Sequence, residues 1–229
     1  MSLAVRARSP ELMDADDLCE DTYITVVGDL ARVNALTLAP RPTMAFLKRV
    51  AQGRSFLRIL DVGFGDGDML RRIEKWAAHR RIHVELVGVD LNPRSEMAAR
   101  AHTPPESTIR WTTGDYAALA GEPWDVVISN LVAHHMTEPE MVAFLRFMET
   151  HAGAGWFVND LLRHRLAYFG FPLLARIAAW HPIVRHDGKL SIARAYRSAE
   201  WQPVLAAAGV TDARVFRAFP FRLCLERLR

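Results

Sequence analysis

The sequence predicts an α/β fold: a mostly parallel sheet with helices on both faces, closed by an antiparallel strand pair. Three observations carry this. In Arg58-Ile-Leu-Asp-Val-Gly-Phe-Gly-Asp-Gly-Asp-Met-Leu70, the apolar run from Leu57 to Val62 reads as a buried strand. Glycines follow at alternate positions, Gly63, Gly65 and Gly67, and then a helical face of Met69, Leu70, Ile73 and Trp76. Strand, glycine turn and helix make the opening of a nucleotide-type site, where a Cβ would hold a ligand off the main chain. Second, strand and helix patterns alternate from residue 55 to residue 160, which favours parallel pairing. Third, Val210 to Arg229 reads as two strands meeting near Pro220.

The elements follow in order. Residues 11–22 are acidic, with Glu11, Asp14, Asp16, Asp17, Glu20 and Asp21; an apolar face then emerges at Val26, Leu30, Val33 and Thr37, with Asn34 on its edge. We read two helices here, ended by Pro40 and Pro42, then a helix over Thr43 to Val50 closed by Gly53. Residues 1–54 are thus expected to form an N-terminal helical cover. The second strand is Ile82 to Asp90, and Leu91-Asn92-Pro93 turns into a helix over Ser95 to Ala101. Thr108 to Thr113 is a third strand and Trp124 to Asn130 a fourth; a helix over Glu138 to His151 leads to a fifth, Trp156 to Asn159. Leu166 to Trp180 is apolar and interrupted by Gly170 and Pro172; His181 to Leu190 reads as a loop, and Ser198 caps a helix ending at Gly209.

The chain has 229 residues, half of them hydrophobic, which suffices for one α/β domain. No apolar run is long enough to span a membrane, and Met1 to Pro10 lacks the apolar core of a signal peptide. With Cys19 and Cys224 at opposite ends, a reduced, cytoplasmic protein is expected. Charge is uneven: residues 1–150 hold 17 Lys and Arg against 21 Asp and Glu, residues 151–229 hold 12 against 5. The basic last third reads as a solvated face or as one turned toward an anionic ligand or membrane surface.

The glycine spacing separates cofactors. A dinucleotide fingerprint starting at Gly63 needs glycine at position 68, which is Asp68. Asp61-x-Gly63-x-Gly65-x-Gly67, with Val87-Gly-Val-Asp-Leu-Asn-Pro93, instead resembles the class I S-adenosylmethionine-dependent methyltransferases. The resemblance covers residues 55–160 with specific motifs. It implies a Rossmann-like seven-stranded sheet in the order 3-2-1-4-5-7-6 over residues 55–229, with a lid-like insertion at 161–195. It also implies a cofactor cleft built from Asp61, Gly63, Phe64, Gly65, Gly67, Leu91, Tyr116 and Asn130. Asp90 would accept the ribose hydroxyls and Asp115 the adenine amino group.

The cofactor then carries the activated methyl group, and the protein binds and orients. For a hydroxyl acceptor a proton must leave; His134 and His135, after the fourth strand, are candidates for that base, His135 preferred. Asn34, Asn159, Asp160, Arg163 and His164 are candidates for acceptor binding. A mixed metal site of His134, His135 and Asp160 is the less favoured alternative, and no metal is expected. Asn130-Leu-Val-Ala lacks the motif of nucleobase methyltransferases, and no basic tract is interleaved with aromatics, so nucleic acid is not expected. A small aromatic, quinone-, polyketide- or lipid-like acceptor fits, methylated at oxygen or carbon. Arg163 to Arg165 with Phe169, Phe171 and Trp180 also suit weak contact with a membrane surface. The rival readings are a nicotinamide oxidoreductase using Asp90, opposed by the glycine spacing, and a cofactor-binding subunit without turnover. Oligomeric state has no signal in the sequence.

Overall fold

The computed structural model describes residues 3–15 and 17–229. Asp16 of the acidic stretch and the first two residues of Met1–Pro10 lie outside them. Seven strands make one sheet: β1 (Phe56–Val62), β2 (His83–Asp90), β3 (Arg110–Thr113), β4 (Trp124–Asn130), β5 (Ala152–Leu161), β6 (Arg214–Ala218) and β7 (Arg222–Leu228). Their order is β3-β2-β1-β4-β5-β7-β6, as the resemblance implies. β1 to β5 pair in parallel, and β7 runs antiparallel to both β5 and β6.

Strand alternation divides the core in two. Val127, Trp156 and Val158 face one side, where α5 (Glu138–His151) and α8 (Ser198–Ala208) cover them with Phe144 and Trp201. Val126, Ile128 and Phe157 face the other, covered by α2 (Pro40–Val50) and α3 (Asp68–Arg80) with Phe46, Leu70 and Ile73. Phe46 stacks on Phe157 with ring centroids 5.0 Å apart. Parallel strands buried on both faces explain why β1 and β4 read as largely apolar and not as alternating.

Several local expectations are corrected. The N-terminal cover holds a short 3₁₀ turn, Leu12–Asp14, and one long helix, α1 (Glu20–Leu36), in place of two helices. Pro40 stands at the start of α2, where its fixed φ and missing N–H suit the first turn. Of residues 181–190, expected as a loop, 182–190 belong to helix α7 (Pro182–Arg194). His181 caps α7 by accepting from Ile183 N at 3.2 Å, and Gly188 lies where a Cβ would meet the Phe171 ring at 2.1 Å. That ring belongs to α6 (Arg165–Ile177), so contact between two helices, invisible in local pattern, stabilises α7. Ser198 is the first residue of α8 and not its cap; Glu200 reaches back to Arg197 N at 2.7 Å. α4 (Pro93–His102) starts where the Asn-Pro turn predicts, Asn92 accepting from Arg94 N at 3.1 Å.

α1, α6 and α7 lie beyond the C-terminal ends of the parallel strands and share an apolar seam of Val26, Val33, Ala175, Trp180 and Val184. The segment before α1 is pinned to α7: Asp187 accepts from Leu12 N at 3.0 Å and Met13 N at 2.9 Å.

Candidate active site

A cavity of about 480 Å³ opens above the C-terminal ends of β1, β2 and β4 and runs under α1, α6 and α7. At one end lies the glycine turn. Gly63 has φ +78°, and a Cβ on it would meet Val132 Cγ2 at 2.3 Å, so a side chain there is excluded twice over. Gly65, at φ +57°, has nothing within 4 Å of its Cβ position and borders the cavity. Main chain can therefore meet a ligand directly. Asp90, ending β2, accepts from Gly65 N at 3.0 Å and Asn92 N at 2.9 Å, which aims the carboxyl across this crevice; burial holds its pKa above the ordinary value. Phe64, Leu91, Asn92 and Asn130 also line this end. Asp61 lies beneath, 1% exposed, with Asn130 Nδ2 at 3.4 Å.

The turn after β4 shapes another part of the wall. Leu131 takes φ +62° and donates to Asn159 O at 2.8 Å, which turns the chain so that His134 and His135 face the cavity. Asp160, at the end of β5, accepts from His134 N at 2.6 Å and contacts His134 Nδ1 at 2.7 Å. Burial alone would raise Asp160, but the charge and hydrogen bond of His134 outweigh it and hold the carboxyl below its ordinary value. His134 Nε2 then faces Glu11 Oε1 at 3.7 Å, while His135 lies 3.8 Å from Glu11 Oε2 and 3.4 Å from Asp14 Oδ2. Burial lifts Glu11 above its ordinary value against the pull of His135, Ser191 and Arg194. Glu11, His134 and His135 offer atoms within 4.8 Å of one another, a spacing able to hold a cation. Arg194 Nη1, 3.8 Å from Glu11, already supplies positive charge there.

The other candidates divide. Asn34 lines the cavity. Asn159 is buried and donates to Ala39 O at 2.8 Å and Thr43 Oγ1 at 3.0 Å, tying α2 to the sheet. Arg163 is buried in an ion pair with Glu200 and donates to Ala195 O at 3.1 Å. His164 caps α6, accepting from Leu166 N at 3.2 Å, and stacks on Phe221. Asp115 is exposed and accepts from Ala117 N at 2.8 Å, capping a 3₁₀ turn; Tyr116 packs on Phe144 and Phe147. Gly67 holds the turn against Trp111, where a Cβ would lie 2.4 Å from the indole. Glu11, Ser191, Arg194 and Arg222 were not among the candidates. Their only signal is tertiary, since Ser191 Oγ reaches Glu11 at 2.8 Å across 180 residues.

The crevice lies between a glycine turn and an acid-ended second strand, in the sheet order that the resemblance implies. Residues 59–155 match the family described as "Methyltransferase domain". Over those residues the chain is similar to methyltransferases. Among curated proteins it resembles ubiquinone biosynthesis O-methyltransferases of Cereibacter sphaeroides, 31% identical over 137 residues in one strain and 35% in another. The match takes in 57% of this chain and 52% of theirs, so it spans about half the length of those relatives. Among solved structures, human N-acetylserotonin methyltransferase in complex with SAM shares the fold at TM-score 0.61 and 14% identity, over 92% of this chain and 56% of that one. The magnesium protoporphyrin IX methyltransferase of Synechocystis with bound SAH gives 0.57 at 18% identity, over 95% and 90%.

The buried strand ends have a pH consequence. Burial pushes the Asp61 carboxyl up to about 7 from 3.8, against the hydrogen bond of Asn130. The unfolded chain releases this proton first, so stability falls as pH rises through that window and levels off above it. In cofactor-free protein the denaturation midpoint should decline between about pH 4 and pH 7, and Asp61→Asn should remove its share of that decline; an unchanged profile would contradict the buried carboxyl.

Proposed function

We propose that the protein transfers a methyl group from S-adenosylmethionine to an oxygen of a small aromatic or quinone-like acceptor, with polyketide- or lipid-like rings in the same class. The carrying observation is that Gly65 and Asp90 line the same cavity as His134 and His135. The open Cβ position of Gly65 and the carboxyl of Asp90 fit an adenosyl ligand. When bound, that cofactor supplies an electrophilic methyl group.

The chain's own residues do the rest. Asp90 takes ribose hydroxyls, and Gly65 lets the main chain approach. A free phenol titrates near about 10, so near neutral pH its proton must be removed as the methyl moves. Asp160 holds His134 through Nδ1 at 2.7 Å, leaving Nε2 turned to the cavity as the acceptor of that proton. His135, with its carboxylate neighbours Glu11 and Asp14, steers the acceptor's hydroxyl toward His134. The roof of α1, α6 and α7 excludes water, with Val26, Leu30, Phe171 and Val184 against the acceptor. The Cereibacter relatives' name supports oxygen as the methylated atom and a quinol-type ring.

A specific surface favours a second element of this reading, contact with a membrane. Leu166, Phe169, Leu173 and Ile177 are 64–76% exposed and follow one stripe of α6. Arg165 and Arg176 flank it, and residues 161–186 contain no Asp or Glu. An apolar stripe with basic flanks suits an anionic bilayer surface, from which a lipid-like acceptor would reach Leu161 and Phe171 in the cavity wall. No helix among the described residues is long and apolar enough to cross a membrane. The free cysteines Cys19 and Cys224 support a reducing cytoplasmic setting.

Calorimetry should register micromolar S-adenosylmethionine, and Asp90→Ala should weaken it roughly 10- to 100-fold, the loss of charge-assisted hydrogen bonds. Heat with a nicotinamide dinucleotide and none with S-adenosylmethionine would reverse the assignment. In turnover assays with labelled methyl donor against phenols and quinols, His134→Gln should lower kcat about 10²- to 10⁴-fold while cofactor affinity holds. Equal kcat would remove His134 from proton transfer. The chain should float with anionic vesicles and not with neutral ones, and Phe169→Ser with Ile177→Ser should abolish flotation.

A further inference from the structure

Arg222, the first residue of β7, is 3% exposed and borders the cavity. Its Nη2 donates to Thr37 Oγ1 at 2.8 Å, and its Nη1 has no hydrogen-bond partner. Among the described residues it forms no ion pair. The acids nearby are already engaged. Glu226 on the same strand pairs with Arg49 and Arg214. Asp160 is taken by His134 and by Leu161 N. Arg194, a buried cation behind the two histidines, differs in having Glu11 at 3.8 Å and three main-chain carbonyls, those of Ser9, His134 and His135.

Burying a guanidinium without a counter-charge is strongly unfavourable, and it persists where a ligand completes the pairing. A guanidinium with a free N–H beside a cavity is a fork suited to a carboxylate. We propose that Arg222 binds a carboxylate, or a similar anionic group, carried by the methyl acceptor. The inference rests on the methyltransferase reading and names the substrate class of its site.

The sheet order assigns the anion to the acceptor. Asp90 ends β2, the glycine turn follows β1, His134 follows β4, Asp160 ends β5 and Arg222 begins β7. At about 4.8 Å between strands, Arg222 lies three strands, about 14 Å, from β1 and two strands, about 10 Å, from β4. An aromatic acceptor with its hydroxyl at His134 therefore spans to Arg222 with a substituent on the far side of the ring. Thr37, which accepts from Arg222, and Asn34 line the cavity as well.

The test compares 3-(4-hydroxyphenyl)propionate with 4-propylphenol, which lacks the carboxylate, by calorimetry on the full chain. Wild type should bind the acid at least tenfold more tightly. Arg222→Leu, which keeps bulk and removes the unpaired charge, should erase that preference without lowering the melting temperature, and Arg222→Lys should restore part of it. Equal or undetectable binding of both phenols by wild type would overturn the proposal, as would a preference surviving in Arg222→Leu. S-adenosylmethionine and 5′-methylthioadenosine, which lacks the amino-acid part, form the second arm. If Arg222→Leu weakens only the former, the carboxylate is the cofactor's and the acceptor assignment falls. Wild type that binds S-adenosylmethionine but shows no preference between the phenols refutes this inference alone, whereas no S-adenosylmethionine binding refutes the function itself.

Discussion

Asp160 is the contact on which the site depends. A carboxylate fully buried at the end of a parallel strand is costly unless its oxygens are paired. Here one side chain accepts from His134 N, Leu161 N and the His134 ring. It joins the turn after β4 to the end of β5 and fixes the imidazole's orientation together. Without it the chain beyond Asn130 would lose the bond that presents both histidines to the cavity.

The same logic runs along the whole sheet edge. Asp61 ends up beneath the glycine turn, Asp90 is held by the amides of Gly65 and Asn92, and Asp160 by His134. Parallel strands bring their C-terminal ends to one side, and that is where open α/β sheets place ligands. Against burial, the His134 ring and main-chain N–H groups hold Asp160 below its ordinary value, whereas burial keeps Asp61 and Asp90 above theirs. Arg222 stands apart because its Nη1 has no hydrogen-bond partner and Asp160 attracts it without forming an ion pair.

The roof adds what the sheet lacks. α1, α6 and α7 bury apolar residues against one another, Glu11, Asp14 and Ser191 line the cavity with the two histidines, and Arg194 binds the histidines' main-chain carbonyls. Asp187 of α7 holds the 3₁₀ turn by two main-chain amides, so the N-terminal segment, α7 and the histidine corner form one connected arrangement. The carboxylates that adjust the histidines come from the chain's beginning and the helix that anchors them from its end.

The sequence alone determined the sheet, the glycine turn, Asp90 and the histidine pair, because each is written in a short window. Apolar runs mark strands buried on both faces, glycine marks where main chain meets a ligand, and an acid ends the second strand. The strand order came from family resemblance, and local pattern carries no information on which strands become neighbours. Only the tertiary structure decided that His134 and not His135 meets Asp160, that residues 182–190 are helical, and that Glu11 and Arg222 reach the cavity. Those outcomes rest on contacts between residues far apart in the chain, such as Ser191 with Glu11 and Phe171 over Gly188. A side chain's partner across the fold is set by packing, and packing has no periodicity to read.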